Sequence, residues 1–247
     1  IAPSLVGSEM CIRDSKQVCS KAYYKLQEII NSCALKEPKS SLHICEAPGG
    51  FVQCVCEEFK NIERWYASSL KDGIQFKTEN LDMKKGNIIN QGNISNSEVR
   101  NDFTVKVDLV TGDGAFLEED HDSLETTNYN IFLHQTEIAL KCLNIGGTFV
   151  CKFFEGMEIN TQMLICVLTN CFESVSIIKP YSSKSTNSER YIVCRGFKTN
   201  IDVANTLWET SEPWMNELEE IMDGYASDQI KSLNNLFSVI DRECGKK

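Results

Sequence analysis

The sequence predicts an open α/β fold: a mostly parallel sheet with helices on both faces, followed by a C-terminal helical appendage. Three observations predict it. Short apolar runs alternate with segments of helical spacing along the first 200 residues. The run Ser41-Leu-His-Ile-Cys-Glu46 passes straight into Ala47-Pro48-Gly49-Gly50 and then into an apolar pattern of helical period (Phe51, Val52, Val55, Cys56, Phe59). From Asn200 onward the strand pattern stops and amphipathic, acid-rich helical segments take over. At 247 residues and 42% hydrophobic, the chain can bury a core of domain size. No apolar run approaches the roughly 20 residues that would span a bilayer, so no membrane segment is expected.

Taken in order, residues 1–15 stand apart. Ser4-Leu-Val-Gly-Ser-Glu-Met-Cys-Ile-Arg-Asp14 resembles a translated sequencing adapter and lacks the basic start and apolar core of a signal peptide, so it is read as non-native. A domain is expected over 16–199 and an acidic helical extension over 200–247. Ser20 to Asn31 carries apolar residues at 22, 23, 26, 29 and 30, one face of a helix that Ser20 is expected to cap. Lys25 lies at the edge of that face. A helical lysine is ordinarily just a solvated one. Strand, Pro-Gly-Gly loop and helix follow, in which the glycines would let a ligand approach backbone and the helix start would offer free N–H groups. That suits a nucleotide-type pocket at a strand's carboxyl end. An ordinary strand-to-helix turn is the alternative.

Ile62 to Ser68 and Gly86 to Ile94 read as further strands, with a loop over 71–86 and a short helix capped by Ser95. Val105 to Gly112 is an apolar strand that delivers Asp113 and Gly114 at its end. After an acidic loop (Glu118 to Asp122), Tyr129 to Leu143 reads as a helix ended by Gly146-Gly147. Thr148-Phe-Val-Cys-Lys152-Phe-Phe is a buried-strand run interrupted by one lysine, which must be paired or placed at a cavity, or else snorkel at an edge. Thr161 to Thr169 is an expected helix and Ser174 to Ile178 a strand. A polar loop from Lys179 to Ser188 and a last strand from Glu189 follow, the final two strands forming an antiparallel edge hairpin. In the extension, helices are expected over Val203–Leu207, Trp214–Met222 and Ile230–Ile240, separated by Pro213 and Gly224. This region packs on the domain or offers a surface to a protein partner.

A net charge of −10 argues against holding nucleic acid by bulk electrostatics. Lys21, Lys25, Lys152, Lys179, Lys184 and Arg190 nevertheless lie beside the segments that look functional, which leaves room for a local basic groove. Twelve cysteines are dispersed, many within apolar runs, and none forms a Cys-x-x-Cys pair. Buried thiols in a reducing, intracellular setting (cytoplasmic, nuclear or virus-associated) are expected rather than disulfides. His43, His121 and His134 have no metal-ligand spacing, and no metal site is expected.

The ordered pieces Ser20-Lys-Ala-Tyr-Tyr-Lys25-Leu, Glu46-Ala-Pro-Gly-Gly-Phe51, Asp108-Leu-Val-Thr-Gly-Asp113-Gly, Gly147-Thr-Phe-Val-Cys-Lys152 and Ser188-Glu189-Arg-Tyr-Ile-Val resemble the FtsJ-like family of RNA ribose 2'-O-methyltransferases. The likeness spans about residues 18 to 198 and is closest in character to the cap-methylating branch of eukaryotes and large DNA viruses. It implies a Rossmann-like methyltransferase fold, S-adenosylmethionine as cofactor, and RNA as partner, with the 5' end of capped messenger RNA first and ribosomal or transfer RNA as alternatives. It implies a catalytic tetrad of Lys25, Asp113, Lys152 and Glu189. The cofactor would lie over Glu46, Ala47, Pro48, Gly49, Gly50 and Phe51, with its methionine end near Asp113 and its adenine near Asn93. The sequence departs from the pattern twice: Asn93 carries no charge, and no acid ends the second strand, where Ala67-Ser68 stands.

Physically, the tetrad suits transfer of a methyl group to a hydroxyl, which needs alignment and a proton acceptor but neither a metal nor a covalent intermediate. Lys152, with Lys25 nearby, is the candidate base, its pKa lowered by burial and by the second cation. Asp113 and Glu189 would orient the lysines, and Lys25 would stabilise the developing alkoxide. Lys21, Tyr181, Lys184 and Arg190 are candidate contacts to single-stranded RNA, by phosphate pairing and base stacking. Two other classes remain open: a catalytically silent RNA- or partner-binding module, and a small-molecule methyltransferase.

Overall fold

A computed structural model describes residues 17–116, 124–198 and 212–244, with side chains in the last segment described for 218–238. Residues 1–15, the acidic loop Glu118 to Asp122 with His121, and the helix expected over Val203–Leu207 lie outside the described residues. Seven strands form one sheet: β1 (Ser40–Ile44), β2 (Arg64–Ser68), β3 (Gly86–Ile88), β4 (Val107–Gly112), β5 (Leu143–Phe154), β6 (Phe172–Ile178) and β7 (Glu189–Phe197). Their order is β3-β2-β1-β4-β5-β7-β6. The first five run parallel, whereas β7 is antiparallel to both β5 and β6. This is the expected α/β sheet with a terminal hairpin. That hairpin is wound so that its second strand lies inside the sheet and β6 forms the edge.

Helices cover both faces, because the parallel strands are apolar on both sides. On one face, α1 (Ala22–Ser32) and α2 (Gly50–Glu58) bury Tyr23, Leu26, Ile29, Phe51 and Val55 against Leu109, Val150, Tyr191 and Val193. On the other, α4 (Leu124–Cys142) and α5 (Ile159–Cys171) bury Phe132, Ile138, Leu164 and Leu168 against Val110, Phe149, Phe153 and Ile192. The short α3 (Ser97–Asn101) is capped by Asn96, whose side chain accepts from Glu98 N, and not by Ser95. Cys151, Cys166 and Cys194 are buried thiols. Among the described residues, no helix is long and apolar enough to cross a membrane.

Three expected boundaries move. At the amino end of α1, Ser20 Oγ accepts from Ala22 N at 3.3 Å, but the cap position itself falls on Lys21. α4 begins five residues before Tyr129, and Gly146-Gly147 lies inside β5, where pairing with β4 slips between Val107 and Leu109. The extension forms a single helix, α6 (Glu212–Cys244), instead of two segments broken at Pro213 and Gly224. Pro213 falls in the first turn, where its missing N–H costs no hydrogen bond. A Cβ at Gly224 would meet nothing within 4 Å, so no packing forces a break there. The helix is held by Leu218 and Met222, which join the core, and by Tyr225 OH donating to Ile177 O at 2.8 Å.

His43 sits fully buried in β1, its two ring nitrogens bridged to Ser41 Oγ (2.8 Å) and Thr111 Oγ1 (2.7 Å). Burial pushes its pKa down to about 3. The folded protein therefore keeps His43 neutral where the unfolded chain takes up a proton, so this stability is present above the unfolded value near 6.5 and is lost as pH falls below it. Urea unfolding between about pH 7.5 and 4.5 should show stability falling by about 1.4 kcal/mol per pH unit from His43 below pH ~6.5. His134, whose pKa is also lowered, adds to the same slope, so the readout is the difference from a His43→Gln variant, which should be shallower by one proton.

Candidate active site

The sheet reverses direction of winding between β1 and β4, and open α/β sheets bind ligands at the carboxyl ends of strands at such a point. Asp113 N donates to Ile44 O at 3.2 Å and so ties the two strand ends together. After β1 the chain turns sharply, with Cys45 at φ 57° and Gly49 at φ 112°. Gly49 N donates back to Glu46 O at 2.8 Å. The Glu46 side chain folds under the loop, and its Oε1 accepts from Phe51 N at the start of α2, where a carboxylate also meets the positive end of the helix dipole. Its Oε2 is buried with no hydrogen-bond partner among the described residues. Burial first, and then the neighbouring Asp113 charge, push the Glu46 pKa well above its ordinary value.

The two glycines serve the chain's own packing. A Cβ on Gly50 would fall 2.3 Å from Ser20 Oγ and 3.0 Å from Tyr23 N, because the start of α1 crosses directly over the start of α2. Gly49 needs its positive φ and faces Leu81 at 3.1 Å. On the Cβ side of both glycines the space is taken by α1 and Leu81, a packing reason for glycine that stands beside the expected approach of a ligand to the backbone.

Asp113 leaves the end of β4 with its Oδ1 accepting from Lys152 Nζ at 3.0 Å and from Tyr191 OH at 3.0 Å. Lys152 Nζ also donates to the Asp113 carbonyl at 2.7 Å. From α1, Lys25 Nζ meets Glu189 Oε1 at 2.6 Å, and the buried Ser183 hydroxyl donates to the same oxygen at 3.1 Å. Cross-strand register places Tyr191 opposite Lys152, so Lys152, Tyr191 and Glu189 project from one face. The structure thus assembles Lys25, Asp113, Lys152 and Glu189 from four separate elements into two adjoining ion pairs.

Electrostatics correct one expectation. Burial by itself lowers the Lys152 pKa, but Asp113 and Glu189 more than offset it and hold the ammonium above the ordinary lysine value. Burial likewise raises Glu189, yet Lys25, Lys152 and the Ser183 hydroxyl outweigh it and leave the carboxyl below its usual range. Lys152 is thus a paired cation and not a lysine neutralised by Lys25, because each lysine has its own carboxylate. The lowered lysine is Lys179, which burial brings to about 8.

At the expected adenosine end, Asn93 is exposed, and its Oδ1 accepts from Ser95 N at 2.9 Å in a local turn. Ser68 donates its hydroxyl to Asn90 O. Of the four residues expected to contact RNA, Lys21, Tyr181 and Lys184 are exposed, Tyr181 almost completely at 99%. Arg190 is not. It is 3% exposed, donates to the Glu155 carbonyl and lies 4.9 Å over the Tyr225 ring of α6. Alternation along β7 turns it to the sheet face opposite Glu189, so a phosphate contact from Arg190 is corrected to a link with the C-terminal helix.

Residues 18–197, which carry Lys25, the Glu46 to Phe51 loop, Asp113, Lys152 and Glu189, match the profile of the FtsJ-like methyltransferases. The chain belongs to that family. The mouse cap-specific mRNA (nucleoside-2'-O-)-methyltransferase 1 is 32% identical over 179 residues, covering 64% of this chain and 21% of the mouse protein. The zebrafish cap-specific mRNA (nucleoside-2'-O-)-methyltransferase 2 is 29% identical over 224 residues, covering 78% of this chain and 30% of that protein. The chain therefore spans between a fifth and a third of the length of these relatives. A crystal structure of a ribosomal RNA methyltransferase from Plasmodium falciparum superposes with a TM-score of 0.57 at 25% identity, covering 73% of this chain and 99% of that one.

In this FtsJ-like chain several supporting residues escaped the sequence reading. Gln135 from α4 accepts from Gly114 N at 2.9 Å, and a Cβ on Gly112 would fall 2.6 Å from its Oε1. Glu125 accepts from Met157 N and Glu158 N, each at 3.0 Å, and Asn128 binds both the N–H and the carbonyl of Phe116. Together they clamp the turns that follow β4 and β5. Only Tyr191 had a readable signal, since it lies two residues from Glu189 on the same strand. Gly50→Ala is expected to destabilise the unliganded protein by about 1–3 kcal/mol through the clash with α1, measured by chemical denaturation. Removing the Ser20 side chain in the same protein should recover part of the loss; an unchanged Gly50→Ala stability would return that glycine to the ligand.

Proposed function

We propose that this chain transfers a methyl group from S-adenosylmethionine to a ribose 2'-hydroxyl of RNA, and that the acceptor is the cap-proximal nucleotide of messenger RNA. The observation that carries the reading is the pair of lysine–carboxylate contacts converging at the sheet's switch point. A pure binding module has no chemical need for them, and a small-molecule enzyme leaves Lys25 and Glu189 idle. The cap preference is supported by the cap-specific names of relatives at about 30% identity. The ribosomal RNA name of the structural neighbour supports ribosomal or transfer RNA as the second substrate.

The residues present fit the cofactor at its charged end. Glu46 keeps one buried carboxylate oxygen without a partner, beside Asp113, and its burial together with the Asp113 charge opposes its ionisation, which a cation placed there would favour. The backbone of Glu46 to Phe51 and the Asp113 carboxylate would hold the amino-acid end, with Asn93 the remaining candidate at the adenine. S-Adenosylmethionine supplies a methyl group on a positively charged sulfur, so transfer to oxygen is an in-line displacement that leaves one proton to be removed.

The chain's own groups handle the acceptor. Lys25 and Lys152, each fixed by a carboxylate, present two N–H donors to one hydroxyl oxygen and stabilise negative charge as it develops there. Asp113 and Glu189 hold the lysines in place, and Tyr191 OH braces Asp113 from below. Lys152 can take the hydroxyl proton only from its deprotonated fraction, and its raised pKa makes that fraction small at neutral pH. Rate limited in this way rises with pH. On the far side of the hairpin, Ile230, Leu236 and Phe237 of α6 are exposed, which supports a protein-partner surface there.

Labelled methyl transfer to short RNAs with and without a 5' cap should favour the capped substrate by about tenfold or more, about 1.4 kcal/mol of transition-state binding. Transfer only to ribosomal or transfer RNA would select the second substrate, and cofactor binding with no transfer to any RNA would select a silent module. Lys152→Arg should cut transfer by about 100-fold or more while cofactor binding persists; an Arg variant with the rate and pH profile of the parent would remove Lys152 as base. Glu46→Gln keeps the acceptor for Phe51 N but removes the charge. Calorimetry should show cofactor affinity reduced about tenfold, with thermal stability little changed, about the worth of one charge-assisted hydrogen bond.

A further inference from the structure

The ten-residue loop between β6 and β7 carries the exposed Tyr181 and Lys184 and ends at Glu189. Its first residue, Lys179, is half-buried and turned toward the loop. The ammonium donates to Asn187 O, to Asn187 Oδ1 and to Glu189 O, the last at 2.8 Å. Those three contacts use all three of its donors, and each acceptor is an uncharged carbonyl. Two further tethers converge on the same segment. Ser182 N donates to both carboxylate oxygens of Glu28 on α1, at 3.1 and 3.2 Å, and Ser183 Oγ reaches Glu189 Oε1 at 3.1 Å and Asn187 Oδ1 at 3.3 Å. Within the loop, Ser183 N donates to Pro180 O and Asn187 N to Lys184 O.

We propose that Lys179 is a positioning residue: by pinning Asn187 and the Glu189 carbonyl it fixes the Glu189 carboxylate against Lys25, and makes the loop bearing Tyr181 and that ion pair one mechanical unit. The proposal rests on the reading of Lys25 and Glu189 as part of the methyl-transfer machinery. Contact of RNA with Tyr181 or Lys184 then bears on the geometry of Glu189 through the tethers at Ser182, Ser183 and Asn187. The lock depends on charge. The groups that bear on Lys179 are Glu189, which favours the ammonium, and Arg190 and Lys25, which disfavour it, and burial opposes it most strongly. Its pKa near 8 means that the lock is complete below that pH and loosens above it, when the amine keeps only two donors for three acceptors.

Lys179→Met and Lys179→Arg test this in the full chain. On the RNA that the parent methylates, Lys179→Met should lose about tenfold in kcat at pH ~7, with KM and cofactor affinity within about twofold. That deficit should shrink as pH rises through about 8 to 9.5, because the parent loses its own lock over the same range. Lys179→Arg, which stays charged, should recover most of the rate. Amide hydrogen exchange over residues 180–189 supplies a readout free of activity: faster in Lys179→Met at neutral pH and rescued by Arg. Full kcat in Lys179→Met, or a deficit equal at both ends of the pH range, overturns the positioning role. A parent that methylates no RNA overturns the proposed function instead, and exchange unchanged in Lys179→Met then overturns the lock as well.

Discussion

A single buried ammonium dictates the layout of the sheet's carboxyl edge. Lys152 occupies β5 between Cys151 and Phe153, both buried in the apolar core, and only a tenth of its side chain is exposed. An unpaired charge there would cost several kcal/mol or would be lost by deprotonation. The fold meets that constraint with three strands. β4 ends at Asp113, which gives Lys152 both a carboxylate and a carbonyl. β7 brings Tyr191 opposite Lys152 to hydrogen-bond the same carboxylate. Truncating Asp113 would leave the Lys152 charge buried without its carboxylate, so the geometry of this pair and the stability of the core cannot be varied separately.

Insertion of β7 as an antiparallel strand makes this arrangement available. Parallel strands can offer only their carboxyl ends to the site. An antiparallel strand offers its amino end there, and so places Glu189 at the same edge as Glu46, Asp113 and Lys152. Being next to β5, it also divides its residues cleanly: Glu189 and Tyr191 face α1 and Lys25, whereas Arg190 faces α6 and Tyr225. One strand thereby links the ion-pair network to the C-terminal helix without mixing the two. The helix reaches the loop before β7 as well, through Gln229 donating to Thr186 O.

The sheet, Asp113 and Lys152 were legible in the sequence, because apolar strands that deliver an isolated Lys or Asp break their own pattern, whereas Lys25 and Glu189 stood out only through the family resemblance. Lys152 between Cys151 and Phe153 is such a break, and so is Asp113 after Leu109 to Gly112. What stayed hidden was partnership. That Lys152 pairs with Asp113 while Lys25 pairs with Glu189 depends on strand order, which no local pattern encodes, and the pairing reverses the direction of the Lys152 shift. Gly50 was legible as special but its packing reason was not, since its neighbour Ser20 lies 30 residues away. Gln135 reads as an ordinary polar position of an amphipathic helix, while Asn128 and Glu125 fall before the helix expected from Tyr129. Their work is to satisfy backbone groups of distant turns, and only the packed structure shows those turns to be in need. Gly224 shows the limit of a local breaker rule: an exposed glycine inside a long helix costs about 1 kcal/mol, too little to end it.

The balance of charge at the site gives the last step. Two ammonium groups stand among three carboxylates, and the third, Glu46, is buried beside Asp113 with one oxygen unsatisfied. Left alone, that acid is driven toward its neutral form. A ligand cation placed against it would restore ionisation and at the same time complete the hydrogen bonding of the loop, so part of the free energy of binding comes from relieving a cost already built into the fold. The polar groups of Asn93 and Ser68 hold no comparable reserve, since both are already satisfied locally.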